Sequence, residues 1–246
     1  FRIWIDAAVA LGDWRSVEAA LKNPTPSMGN SIRLPILARA LKQQGRQAEA
    51  DAVHAEALRS TETQPEKRSE VLAGLLVAGE WDLVEKNLAP VVNDPRVASS
   101  ALRFLVPVAR DQRSSARLLG LYEKALASPV LAKDAYLLDR LDFCRHILGI
   151  PVPIEVVEAR LAQAGDNPNY LATAALGHLK NGRKAKAIHI LEGGEKPVDF
   201  SKMTPPRQAA VAAVYAANDR TAEARQIAAR IPRQKLTVRS EEHTSE

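Results

Sequence analysis

Two stretches decide the fold. Gly12-Asp13-Trp14-Arg15-Ser16-Val17-Glu18-Ala19-Ala20-Leu21 aligns without gaps on Gly79-Glu80-Trp81-Asp82-Leu83-Val84-Glu85-Lys86-Asn87-Leu88. They share Gly, an acid, Trp, Val-Glu and Leu at identical spacing, 67 residues apart. Gly45-Arg46-Gln47-Ala48-Glu49-Ala50 matches Gly182-Arg183-Lys184-Ala185-Lys186-Ala187 in the same way, with Asn218-Asp219-Arg220-Thr221-Ala222-Glu223-Ala224 a looser relative. The turn positions read from these matches are Gly12, Gly45, Gly79, Asp111, Gly149, Gly182 and Asn218, with gaps of 33, 34, 32, 38, 33 and 36. A fixed period of this length is the signature of a repeat architecture.

Each unit has the same internal order. Apolar residues at helical spacing, such as Leu34, Leu37, Ala38 and Leu41, precede the turn. Glycine, or an Asn or Asp that tolerates a left-handed backbone, ends that helix. A second amphipathic run follows, as in Ala50, Val53, Ala57 and Leu58, and proline punctuates the exits at Pro24, Pro26, Pro65, Pro95, Pro129, Pro168, Pro205 and Pro206. Small residues (Ala38, Ala50, Ala175, Ala187) sit where paired helices cross. Composition agrees: 46% of the 246 residues are apolar and 26% charged, but only 4% are aromatic, so the apolar content is mostly Ala, Leu and Val. That favours helices over sheets, and the predicted class is all-α.

A helix-turn-helix unit of about 34 residues with small residues at fixed places resembles the tetratricopeptide repeat. The clearest copies are Ser31–Gln64, Pro168–Ser201 and Thr204–Thr237. In the first of these, Leu37, Ala38, Leu41, Gly45, Ala50 and Ala57 occupy the repeat's apolar and small positions. The second supplies Leu171, Ala175, Gly182 and Ala187, but departs at His178 and Gly194; the units around Asp111 and Gly149 are degenerate. Stacked hairpins bury the faces that one alone cannot. The expectation is therefore a right-handed α-solenoid of about seven antiparallel helix pairs over residues 1–238, with Trp14 and Trp81 each opening a second helix.

Both ends carry their own expectation. Phe1, Ile3, Trp4, Ile5 and Ala8 read as a helix already under way, which places the true N-terminus upstream and leaves compartment unassigned. Arg239-Ser240-Glu241-Glu242-His243-Thr244-Ser245-Glu246 matches the translation of a common sequencing adapter and reads as a non-native tail, 239–246. Without its one Arg and three Glu the net charge of +5 becomes +7.

The sequence points away from chemistry of its own. The single cysteine, Cys144, rules out an internal disulfide framework and a cysteine-rich zinc site. His54, His146, His178 and His189 have no close metal-ligand spacing, and no phosphate-binding or nucleophile-elbow motif occurs. Neither a metal nor a cofactor is expected, nor a small-molecule substrate. No apolar stretch is long enough to span a bilayer. Cys144 beside Arg145 and His146, and Asp139 three residues from Asp142, read as ordinary helix residues. Two basic series, Arg96, Arg103, Arg110, Arg117 and Arg220, Arg225, Arg230, Arg233, Lys235, have only Phe104 and Tyr215 as stacking partners, which weighs against nucleic acid.

The resemblance implies that first helices line a concave, ligand-facing wall. Counting from each turn, the peptide-groove candidates are Arg39, Lys42, Asp139, His146, Lys180, Gln208 and Tyr215. The Lys and Asn set that clamps a peptide's terminal carboxylate in this family is replaced by Ala73, Leu76, Leu105 and Leu176. The function expected is a non-catalytic scaffold for a protein or peptide, within a larger polypeptide. The competing classes are a helical accessory region of an enzyme or membrane-associated assembly protein, and an RNA-binding helical repeat.

Overall fold

The computed structural model describes residues 8–9, 11–22, 29–61, 67–96, 112–193 and 198–231. Among the described residues there are thirteen α-helices and no strand. In chain order α1 is Trp14–Lys22, α2 Asn30–Gln43, α3 Gln47–Arg59, α4 Lys67–Val77, α5 Trp81–Asn87, α6 Ala89–Val92 and α7 Gln112–Leu126. Then come α8 Ala135–Ile147, α9 Ile154–Ala164, α10 Pro168–Lys180, α11 Lys184–Glu192, α12 Pro205–Ala217 and α13 Thr221–Ala229, with a short 3-10 turn at Phe200–Lys202 before α12. Trp14 and Trp81 each open a helix, as their matched spacing implies. The described residues fall into two compact units, unit 1 within 1–107 and 127–132, unit 2 within 108–126 and 133–246.

One turn recurs six times. Gly12, Gly45, Gly79, Gly149 and Gly182 adopt φ between 71° and 78°, where a Cβ would meet the neighbouring carbonyl. In each case the next residue donates its N–H five residues back: Asp13 to Ala8 O at 2.9 Å, Arg46 to Leu41 O at 3.0 Å, Glu80 to Leu75 O at 2.9 Å, Ile150 to Arg145 O at 2.8 Å and Arg183 to His178 O at 2.9 Å. This closes the helix by satisfying carbonyls that lack an intrahelical donor. The sixth copy corrects the sequence reading. Its left-handed residue is Asp219 (φ 62°), not Asn218 (φ −107°), because α12 runs one residue further than the alignment placed it. Asn218 caps instead, its Nδ2 donating to Val214 O at 2.8 Å, while Arg220 N–H reaches Tyr215 O at 3.0 Å. Asp111, the remaining turn position, lies outside the described residues.

In unit 1, α2 packs on α1, α3 and α4. Its core joins Val17 and Leu21 of α1 to Ile36, Leu37, Ala38, Ala40 and Leu41 of α2 and Ala50 of α3. Ala38 and Ala50 are fully buried, so the small residues do stand where helices meet. Pro35 inside α2 has no N–H to offer the carbonyl of Ser31 one turn back. That carbonyl lies against α4: a Cβ placed on Gly74 would stand 2.3 Å from Ser31 O and 3.0 Å from Pro35 Cγ. Gly74→Ala must therefore push α2 and α4 apart. It is expected to destabilise by about 1–3 kcal/mol, as other overpacked sites do. Gly120→Ala, where a Cβ meets nothing within 4 Å, serves as the control. Urea denaturation of both variants checks the difference.

In unit 2, α10 packs on α8, α9, α11 and α12, and α12 packs on α13. The largest core cluster runs through Ala172 and Ala175 of α10, Ala187 and Leu191 of α11, and Val211, Val214 and Tyr215 of α12.

Candidate functional site

The residues expected to face a groove divide between the units and between two environments. In unit 1, Arg39 is half-buried and spoken for. Its Nη1 donates to Ala78 O at 2.6 Å and its guanidinium lies 5.4 Å from the centre of the Trp14 ring. Lys42 is exposed and pairs with Glu80 at 3.0 Å. These two cations therefore tie α2 to the turn at Gly79, which makes them part of the hairpin-to-hairpin contact.

In unit 2, Lys180 is exposed at the end of α10. Gln208 is half-buried, its Nε2 donating to Phe200 O at 2.9 Å and Met203 O at 3.2 Å, which fastens the 3-10 turn onto α12. Tyr215 is buried, edge-on to Phe200 with ring centres 6.1 Å apart and beneath the guanidinium of Arg220 at 5.5 Å. Burial, with Glu192 beside it, pushes its phenol up to about 12.

Asp139 and His146 lie inside the unit, at 5% and 2% exposure. Asp139 is ion-paired with Arg207, a residue that spacing did not single out and that is fully buried. The Arg207 guanidinium also donates from Nε to Asn169 O at 3.0 Å and to Thr173 Oγ1 at 3.3 Å, and stacks 4.3 Å from the Phe143 ring centre. Nη1 finds no partner among the described residues. One ion pair thus joins α8, α10 and α12. Burial raises the Asp139 carboxyl above its ordinary range, against the pull of Arg207.

The neighbouring acid is also occupied. Asp142 accepts from Arg160 Nε at 3.1 Å, with Arg145 at 3.9 Å, and burial again raises its pKa. Asp139, Asp142, His146, Arg160, Tyr170 and Thr173 line a cavity of about 20 Å³, room for about one water molecule. His146 packs toward α9 and α10: a Cβ on Gly177 would come within 2.9 Å of its Nε2 and of Val157. Burial, aided by the charge of Lys180, lowers the His146 pKa to about 4. His178 is fully buried with neither ring nitrogen partnered among the described residues, and burial lowers its pKa too. Cys144 is half-buried, and its surroundings push the thiol up to about 11, the opposite of what activates a nucleophile.

A second feature was written in the sequence but not read from it. The residue after the turn is arginine in three copies, and each reaches back to a glutamate of the preceding hairpin. Arg46 meets Glu18 at 2.6 Å, Arg183 meets Glu158 at 2.8 Å and Arg220 meets Glu192 at 3.2 Å. Glu18 is the most enclosed of the three acids, and Lys22, Arg46 and Gln44 hold its carboxyl down to about 2. The arginine position is fixed by the turn, but the glutamate drifts, at six, nine and ten residues past its own turn glycine.

Among the described residues no His, Cys, Asp and Glu group could hold a metal ion, and no helix is long and apolar enough to cross a membrane. Arg96 pairs with Asp94 at 2.8 Å; Arg103, Arg110, Arg233, Lys235 and Phe104 lie outside the described residues. Comparison with protein-family models, with curated proteins and with solved structures finds no match.

Proposed function

We propose that this chain is a non-catalytic scaffold that holds a protein or peptide along stacked helical hairpins. In this reading the hairpins form a right-handed, tetratricopeptide-like solenoid of about seven helix pairs. The observation that carries it is the recurrence of one left-handed turn, with one hydrogen-bond pattern, at six places. A chain built by repeating a hairpin grows by one neighbour-to-neighbour contact at a time. It has a long surface made of equivalent helix faces, the kind of surface that engages extended partners. The inward-turned acids support the same reading, since Asp139 and Asp142 are each neutralised by an arginine and held away from solvent.

Of the groove candidates, Lys180 and Lys42 keep exposed cationic ends. A displayed peptide library panned on the chain should return a convergent sequence class. Lys180→Glu should weaken the selected peptides by about 0.2–1 kcal/mol, the range of an exposed ion pair. Single-stranded RNA should bind weakly and lose affinity alike for all sequences between about 50 and 200 mM salt, because counterion release alone would drive it. RNA binding that survives the higher salt and prefers one sequence would replace this proposal with the RNA-reading alternative.

A further inference from the structure

We infer that unit 1 carries a separate site for a small aliphatic carboxylate, in the cavity between the end of α3, the first half of α4, and α5–α6. This goes beyond the scaffold proposal and does not depend on it. The half-open cavity has a volume of about 220 Å³. It is an order of magnitude roomier than the cavity beside Asp139.

The lining sets the ligand class. Leu58, Val71, Leu72, Pro90 and Val91 give it an apolar floor, while Thr61, Arg68 and Asn87 supply the polar groups, the Thr61 hydroxyl already donating to Leu58 O at 2.6 Å. The Arg68 guanidinium has no hydrogen-bond or ion-pair partner among the described residues. The carboxylate its charge reaches, Asp94, is already taken by Arg96, accepting from the backbone N–H at 3.0 Å, from Nε at 3.0 Å and from Nη2 at 2.8 Å. Asn87 spends one amide N–H on Leu83 O at 2.8 Å and keeps the other. Among the described residues this guanidinium and this amide N–H are donors without an acceptor, and the floor beside them is hydrocarbon. A carboxylate matches the guanidinium fork with two parallel hydrogen bonds. A short alkyl tail covers the floor. Neither a neutral nor a cationic ligand of the same shape satisfies both parts.

The test is titration of the full chain, by calorimetry and by amide NMR shifts, with hexanoate, hexanamide, hexylamine and N-acetylleucine. Hexanoate is expected to saturate and to shift amides of α4. The amide and the amine should bind at least about tenfold more weakly, as the loss of a charge-assisted hydrogen bond predicts. Arg68→Gln should remove the preference for the carboxylate, and Arg68→Lys should keep part of it. Unchanged circular dichroism and urea midpoints show that both variants fold. N-acetylleucine binding more tightly than hexanoate identifies a peptide's terminal carboxylate as the source; the reverse order identifies a free acid. The inference is overturned if hexanoate does not saturate, if acid, amide and amine bind alike, or if Arg68→Gln leaves hexanoate affinity unchanged.

Discussion

Arg207→Met is expected to remove about 3–5 kcal/mol of stability, the loss seen when one partner of a buried ion pair is deleted. The guanidinium is fully buried and neutralises Asp139 at 5% exposure, so its loss strands a carboxylate away from water. The hydroxyl of Thr173 loses a donor as well, and the carbonyl of Asn169 keeps only the Thr173 hydroxyl of its two side-chain donors. The pair itself adds little net stability, because desolvating two charges offsets their attraction. Asp139→Leu combined with Arg207→Met should therefore recover most of the loss of the single variant. Urea denaturation of the single and double variants reads this directly. A single variant within about 1 kcal/mol of the parent would mean that water reaches Asp139, since an exposed ion pair contributes no more than that.

Stability should also fall as the solution is acidified from about pH 6.5 toward 4, and His146 should carry much of the loss. Its pKa is about 4 in the folded chain against an ordinary 6.5. Between those values the unfolded chain takes up a proton that the folded chain refuses, so stability drops as pH drops. The slope approaches ~1.4 kcal/mol per pH unit, and the full window amounts to on the order of 3 kcal/mol. His178 acts with the same sign, its pKa lowered by burial. Asp139 and Asp142 act with the opposite sign at the acid end, because burial raises their pKa values and the folded chain binds their protons first. The comparison that isolates His146 is the parent against His146→Leu. The stability of the parent relative to that variant should rise steadily above pH 4 and level off near 6.5. A difference that does not change with pH would show that the imidazole is solvated in the folded chain.

The turns were legible because they are local. A left-handed residue at the end of a helix asks for glycine whatever surrounds it, and five of the spaced glycines have that conformation. Asn218 and Asp219 could not be separated the same way, since both side chains tolerate it and the length of α12 decides between them. The buried centre of unit 2 was illegible for a different reason. Asp139 and His146 were placed by counting from Gly149, which assumes that each first helix shows the same face outward. Around that turn the partners are α10 and α12, and the charge that neutralises Asp139 comes from a residue 68 positions away. A signal was present nonetheless. Arg207 shares the apolar phase of α12 with Val211 and Val214, and Asp139 shares that of α8 with Asp142, Phe143 and His146. Opposite charges on two apolar stripes are candidates for a buried pair. The cavity at Arg68 gave no such signal, because its walls come from four helices and no spacing along the chain joins them.

The proposed solenoid, in which recurring hairpins would stack into an open array, is tested most directly by small-angle X-ray scattering of the chain in solution. A compact globule of this length has a radius of gyration of about 18 Å. Seven hairpins stacked at about 10 Å per helix layer give a long axis on the order of 70 Å. Such a stack should show a radius of gyration clearly above that of the globule and a distance distribution with an extended tail. A radius near 18 Å with a symmetric, bell-shaped distribution would mean that the hairpins close on themselves, and would contradict it.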